Sequence, residues 1–375
     1  MTDNASVVAI AEPARVQISQ IDKQLKGIWS SQAGATRAST FNLLVFEPEQ
    51  ADPNSIAEAI GTIAVQHPCR AIALVGASEA AQNGLEAYIA AYCPVSEGGN
   101  RESICCEYIT LRASGQALRE LHTTVASLLL PELETFLWWR GPLSPHMELF
   151  TSLQSVVDRT VIDSLLFEDP LQGLKNFATF ALAQERNRSF GDLNWSRIIP
   201  WREETALAFD AEERRSCLGV LDRIIIEYGQ GAEEPLNPAQ AYLFLGWLAG
   251  RLGWQPLSIH TRELLQQIIL RDETGRPIQA TIRAVPGAAA LAGQLTSVGL
   301  RSEEVGAACS TVLCGTDTSS CLRMQMNIGE ANISRVSDVE MLSTEQLLSA
   351  ALRTPDRDPI YEQSLAFLHA LLQLK

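Results

Sequence analysis

Residues 40–75 read TFNLLVFEPEQADPNSIAEAIGTIAVQHPCRAIALV. Two apolar runs, Thr40 to Phe46 and Arg70 to Val75, flank a stretch in which Ile56, Ile60, Ile63 and His67 recur at helical spacing. Asp52-Pro53 supplies an N-cap and a proline for the first helical turn. The reading is strand, helix, strand, a βαβ unit that belongs in a mostly parallel sheet.

The alternation continues outward. Upstream, Val16, Ile18, Ile21, Leu25 and Ile28 predict an amphipathic helix over 15–29, preceded by a frayed segment 1–14 and followed by a polar loop, SSQAGATRAST. Downstream, a helix is predicted near 80–91 and a third strand at Cys105–Leu111. Leu118, Leu121, Val125 and Leu128 then mark a helix. Thr135–Trp139 reads as a fourth strand stopped by Gly141-Pro142, and Thr160–Leu166 as a fifth. Asp169-Pro170 caps a helix carrying Leu171, Leu174 and Phe177. Residues 15–195 therefore predict an α/β domain with a mostly parallel, doubly wound sheet.

Residues 196–375 have another texture. Strand candidates at Leu221–Glu227, Glu263–Arg271, Ile278–Val285, Leu291–Leu295 and Val312–Met326 have few helices between them. One helix opened by Asn237-Pro238 is apolar nearly all round (AYLFLGWLAG). This predicts an α+β domain with an antiparallel sheet packed on helices. Two helices close the chain. Ser343-Thr344-Glu345-Gln346 forms a capping box for one, and Asp358-Pro359 caps the other.

Bulk properties narrow the function. A chain of 375 residues with 46% hydrophobic and 19% charged residues suits two globular cores. A net charge of −15 disfavours nucleic acid and anionic membranes as partners. No apolar run approaches the roughly 20 residues of a membrane-spanning helix, and MTDNASVVAIAEPAR lacks a basic leader, so a cytoplasmic location is expected. Eight cysteines without a CxxC, and five scattered histidines, predict neither a disulfide scaffold nor a metal site. Neither a GxGxxG turn after a strand nor a P-loop, GxSxG or HExxH motif is present, so no cofactor and no catalytic set are expected. The rival reading is an α/β enzyme or binding protein for a sugar phosphate or nucleotide, with its ligand at the carboxyl ends of the strands near Glu47, Gly76 or Arg112.

Tryptophan–arginine pairs stand out: Trp138-Trp139-Arg140 in PELETFLWWRG (131–141), and Trp195 with Trp201-Arg202 in GDLNWSRIIPWREETALAFD (191–210). Adjacent residues of a strand face opposite ways, so Trp138 and Trp139 cannot share one surface. These side chains either fill a core with the arginines paired locally, or anchor a contact with a partner.

TRASTFNLLVF (36–46), PELETFLWWRG (131–141) and DLNWSRIIPWRE (192–203) resemble the glucose-6-phosphate dehydrogenase assembly protein family, OpcA, in its cyanobacterial form. The resemblance runs through both halves. It implies a non-catalytic partner that promotes assembly or allosteric activation of glucose-6-phosphate dehydrogenase in the oxidative pentose phosphate pathway, with redox control through thioredoxin. Partner-binding candidates are then Trp138, Trp139, Arg140, Trp195, Trp201 and Arg202. Cys309, Cys314 and Cys321 lie in AACSTVLCGTDTSSC, where Gly315 and TDTSS read as a turn between two strands. They are the candidates for a regulatory thiol pair, the alternative being three reduced cysteines in a sheet. Cys105-Cys106 and Cys217 read as inert residues.

Overall fold

The unit read from residues 40–75 lies at the middle of the first of two sheets in the computed structural model. Described are residues 7–31, 35–37, 39–48, 56, 59–63, 67–77, 82–94, 103–184, 188–231, 236–262, 264–287, 291–302, 309–315, 321–328, 331–353 and 357–375. Strands are numbered in chain order: β1 Val7–Val16, β2 Ala35–Arg37, β3 Phe41–Pro48, β4 Cys69–Gly76, β5 Gly84–Pro94, β6 Ser103–Ser114, β7 Thr135–Trp139, β8 Arg159–Ile162 and β9 Ser189–Asp192. Their spatial order is β1-β5-β6-β4-β3-β7-β8-β9, with β2 beside β6. The run β6-β4-β3-β7-β8 is parallel throughout. Chain order therefore leaves β3 in two directions, as in a doubly wound sheet.

The apolar strands and helices fill the core as their spacing predicts. Residues 41–47 of β3 are all buried, and so are Ile56, Ile60 and Ile63 between β3 and β4. Two local expectations fail. The helix predicted near 80–91 is strand β5, antiparallel to both β6 and β1. LEAYIAAY carries enough alanine to suggest a helix, but its place between two neighbouring strands overrides that propensity. Within the segment expected to fray, Val7–Val16 forms β1. The helix read over 15–29 begins later and spans Ile21–Ser31, with Ile21 and Leu25 fully buried.

A buried ion network holds one end of this sheet. Arg70 of β4 donates from Nε to Glu107 Oε2 of the adjacent strand at 2.7 Å, from Nη1 to Leu128 O at 2.8 Å, and from Nη2 to Asp22 Oδ1 at 3.2 Å. Trp29 Nε1 donates to Glu107 Oε1 at 3.0 Å. Two strands and two helices thus share one guanidinium. Arg70 and Glu107 are 4% and 1% exposed, so removing either leaves the other buried without its main counter-charge.

Eight further strands make the second sheet: β10 Arg223–Gln230, β11 Gln255–Arg262, β12 Leu265–Arg271, β13 Pro277–Pro286, β14 Leu295–Arg301, β15 Cys309–Gly315, β16 Cys321–Ile328 and β17 Ala331–Asp338. Their order is β11-β12-β13-β10-β14-β15-β16-β17, antiparallel except for the pair β10–β13. One face carries Ile224, Ile226, Ile268, Leu270, Leu322 and Met324 into a core with the helices Ile199–Ala208, Ala239–Leu252 and Pro359–Leu372. The last two helices pack closely at Gly246, where a Cβ would lie 2.5 Å from Ser364 Oγ. The capping box forms: Ser343 N donates to Gln346 Oε1 at 2.8 Å, and Gln346 N to Ser343 Oγ at 3.3 Å. By backbone contacts the chain divides into two units. One comprises Met1–Asp163, Glu185–Gly191 and Ser343–Arg357, the other Ser164–Gln184, Asp192–Leu342 and Asp358–Lys375.

Replacing Arg70 by Met should destabilise the protein by about 3–5 kcal/mol, because Glu107 is left buried without its counter-charge. The double change Arg70→Met/Glu107→Met should recover much of that loss, as read by urea unfolding. His67 gives a pH test. Its Nε2 lies 2.8 Å from Ser349 Oγ, and burial, aided by Arg353, lowers its pKa from the ordinary 6.5. The unfolded chain therefore binds the proton first, so this contribution to stability is complete above pH 6.5 and falls as pH drops through the folded value. His67→Gln should flatten the stability curve over that window in urea titrations.

Candidate functional site

Two tryptophan–arginine clusters are built, one in each unit. The first lies where β3 and β7 run side by side, with Val45 opposite Trp138 and Phe46 opposite Trp139. Strand order reverses here, and open α/β sheets receive ligands in the crevice beyond this pair. At the ends of these two strands, aromatic side chains pack on one face of the sheet. Trp139 stacks on Phe46 with ring centroids 3.8 Å apart at 13°, Phe150 meets the other edge of the indole at 5.1 Å, and His146 lies 5.1 Å from Phe46. Trp138 and Trp139 are 1% and 0% exposed.

Arg140 follows directly. Its backbone N donates to Phe46 O at 3.0 Å, its guanidinium lies 4.8 Å from the Trp138 ring centre, and Nη1 is 3.5 Å from Glu47 Oε2. Glu47, considered above as a ligand residue, is thus the buried counter-charge of Arg140. Gly76 also has a packing role, since a Cβ there would lie 2.9 Å from Phe46 Cε2. Arg112, the third position of the rival reading, lies over the Tyr88 ring at 5.9 Å.

The second cluster grows from DLNW. Asp192 Oδ1 accepts from Asn194 N at 2.9 Å and Ser164 N at 3.1 Å, starting the helix Leu193–Arg197. Asn194 is fully buried and accepts from Gln240 Nε2 at 3.1 Å, while Gln240 Oε1 accepts from Leu295 N at 3.1 Å. Trp195 Nε1 donates to Asp358 Oδ2 at 2.8 Å. The other oxygen of Asp358 accepts from Ile360 N and Tyr361 N at 2.9 and 3.0 Å, capping the last helix. Arg202 lies flat on Trp195, 3.6 Å from the ring centre, and Nη2 donates to Trp195 O at 3.2 Å. Burial pulls the Arg202 pKa down to about 10, against the opposing pull of Asp358 and Glu203, so it stays cationic at neutral pH. Trp201 is 8% exposed, and its carbonyl accepts from Thr205 Oγ1 at 2.7 Å.

All four tryptophans of the two motifs are therefore core side chains, and each flanking arginine lies over an indole of its own cluster. Sequence reading found Asp358 as a helix cap but not as the acceptor of Trp195, 163 residues away. No local pattern carries that pairing.

The cysteine candidates lie on adjoining strands. Register sets Cys309 opposite Ile328, Cys314 opposite Arg323 and Cys321 opposite Asp338. Cys314 and Cys321 are thus offset by two positions, a diagonal of about 7–8 Å between neighbours, longer than a disulfide usually spans. Cys321 is a half-buried free thiol, 3.7 Å from Asp338 Oδ1. The turn between them, 316–320, lies outside the described residues, as do the side chains of Cys309 and Cys314. Cys217 departs from its reading as an inert thiol: it is buried and disulfide-bonded. Cys106 is buried beside Cys69, whose backbone N lies 3.3 Å from its sulfur. A thiol–thiol hydrogen bond with Cys106, then burial, pushes the Cys69 thiol up. Among the described residues no group of three or more His, Cys, Asp or Glu is placed to hold a metal ion, and no helix is long and apolar enough to cross a membrane.

Comparison with known proteins settles the kinship. Residues 61–179 match the glucose-6-phosphate dehydrogenase subunit N-terminal domain of the OpcA assembly family, and residues 188–365 match its C-terminal domain, together well over half the chain. The chain belongs to this family. An OpcA relative from Synechocystis sp., named for the OxPP cycle, is 38% identical over 320 residues, covering 84% of this chain and 65% of its own length. The chain therefore spans just under two thirds of that relative. An OpcA of the same name from Synechococcus elongatus is 29% identical over 100% of this chain and 99% of its own length. In fold, the chain is similar to an oxidoreductase from Sinorhizobium meliloti, with a TM-score of 0.51 at 10% identity over 90% of this chain and 97% of that one. At that identity the likeness is one of fold alone.

Changing Asp358 to Ala should cost roughly 2–3 kcal/mol, the sum of a lost helix cap and a buried indole left without an acceptor. Asp358→Asn keeps one oxygen for the cap but turns an NH2 toward the Trp195 indole N–H, so it should lose the indole bond alone and cost about 1–2 kcal/mol. Thermal unfolding followed by tryptophan fluorescence checks both.

Proposed function

We propose that this chain is a non-catalytic assembly factor and allosteric activator of glucose-6-phosphate dehydrogenase, acting in the cytoplasm within the oxidative pentose phosphate pathway. Membership of the OpcA family, with both of its domains matched, carries the proposal. The packing at the ends of β3 and β7 supports it. There Trp139 stacks on Phe46, and Arg140 pairs with Glu47. A sugar phosphate or nucleotide finds no glycine-rich turn in the sequence after β3, which continues EPEQADPNS.

In this proposal the buried tryptophans act on the partner from within. Trp138 and Trp139 set the position of Arg140, and Trp195 with Trp201 sets that of Arg202. An activator works by binding one state of the enzyme better than another. A coupling of about 1–3 kcal/mol changes substrate affinity by roughly 5–150-fold, and substrate must tighten activator binding by the same factor. Cys309, Cys314 and Cys321, which lie on β15 and β16, are the proposed thiols through which thioredoxin would adjust that coupling.

The decisive experiment is dehydrogenase activity against glucose 6-phosphate concentration, with and without this protein, using the enzyme of the same organism. A fall of about fivefold or more in the apparent substrate constant is expected, differing between oxidised and dithiothreitol-reduced protein. Unchanged constants in both redox states would sink the proposal. A large thermal shift with one sugar phosphate or nucleotide alone would then favour a ligand-binding protein.

A further inference from the structure

The second sheet has an arginine face. Side chains alternate across a strand, so register assigns every strand residue to one face or the other. The helix-covered face holds Ile224, Ala280, Ile268 and Leu300, which oppose one another in neighbouring strands. Following the same register, Arg223, Arg262, Arg271, Arg283, Arg301 and Arg323 all fall on the opposite face. Five of these are exposed, and Arg223 is half-buried. The strands of this sheet contain no lysine and two carboxylates, Glu227 and Asp338, both on the same face as the arginines. Six arginines less two carboxylates leave a balance of plus four on one face of a chain whose net charge is −15. The remaining strand arginine, Arg335, lies on the covered face and pairs with Glu204.

The acids of this stretch are segregated by sequence as well. Glu233, Glu234, Glu263, Asp272, Glu273, Glu303, Glu304, Asp317 and Glu330 all fall between strands. Between the arginines stand small polar and apolar groups. Ile225, Ile269 and Val312 are half-buried, Val336 is 59% exposed, and Gly299 sits in the middle. Eight strands about 4.8 Å apart and seven to ten residues long present an area of roughly 800 Å², which is one partner's share of a standard interface.

We infer that this face docks an acidic surface of the partner protein. The inference rests on the proposal that the partner is glucose-6-phosphate dehydrogenase. Guanidinium forks pair with carboxylates in two-point geometry, and the neutral groups between them supply the desolvated centre. A second copy of this chain is a poor occupant, because a twofold pairing through the face would set arginine against arginine. A nucleic acid strand is disfavoured by the negative remainder of the chain. That remainder also gives the molecule a strong charge asymmetry, which orients an acidic partner as it approaches.

The test measures association of the full-length protein with immobilised dehydrogenase by interferometry, at low and high salt. Wild type is compared with Arg301→Glu/Arg323→Glu and with Lys26→Glu/Arg119→Glu, a control of equal charge change on the other unit. The face variant should lose about tenfold or more in association rate and most of its salt dependence, while the control changes less than about twofold. If the face variant unfolds at a lower temperature than wild type, Arg301→Gln/Arg323→Gln replaces it, with a several-fold loss expected. Wild-type binding with equal binding by a well-folded face variant overturns the docking face and leaves the proposed function standing. Failure of wild type to bind overturns both. Sedimentation velocity that shows the face variant losing self-association, with dehydrogenase affinity intact, also overturns the inference.

Discussion

The stack of Trp139 on Phe46 sets what the first unit can do. A doubly wound sheet parts at the point where strand order reverses, and the gap beyond β3 and β7 is the place where such folds admit a ligand. Here the strand ends carry two stacked aromatic rings, a third ring at their edge, and a half-buried arginine paired with a buried glutamate. Gly76 has no side chain because Phe46 occupies the space. The crossover from β6 to β7 carries the helix Leu121–Leu128 over β4 and β3 and joins the two halves of the sheet. Likeness of fold to an oxidoreductase says little about activity.

Much of this was legible in the sequence because it is written in short-range patterns. β3, β4 and β7 are nearly continuous apolar runs, and the caps at Asp169, Ser343 and Asp358 fall where Ser or Asp precedes a helical repeat. What escaped has a common cause. β11 and β17 are edge strands, exposed along most of their length, so they lack the apolar rhythm that marks a buried strand. β5 is alanine-rich and becomes a strand through its neighbours. Arg70–Glu107 and Trp195–Asp358 join residues 37 and 163 positions apart, and single-sequence reading has no handle on such pairs. The tryptophans of the candidate site stood out by their rarity, yet rarity does not distinguish a core from a surface. Burial does.

Polar groups in both units are spent on joining elements. Arg70 ties two strands and two helices, and Asn194 with Gln240 links the start of one helix to another and to the β14 backbone. Such networks are costly to leave half-made, so they favour one arrangement of the elements over near alternatives. In a family whose proposed task is to hold a partner enzyme in one state, a rigid frame serves that task, since a compliant one would absorb the coupling energy within itself.

Asp358 accepts three hydrogen bonds, two from the first turn of the last helix and one from the indole of Trp195. The amide protons of Ile360 and Tyr361 can reach solvent only when that carboxylate lets go. Opening the helix end and releasing the indole are thus a single event in hydrogen exchange. The final fourteen-residue helix behaves as part of the same cooperative unit as DLNW rather than as a tail that frays alone.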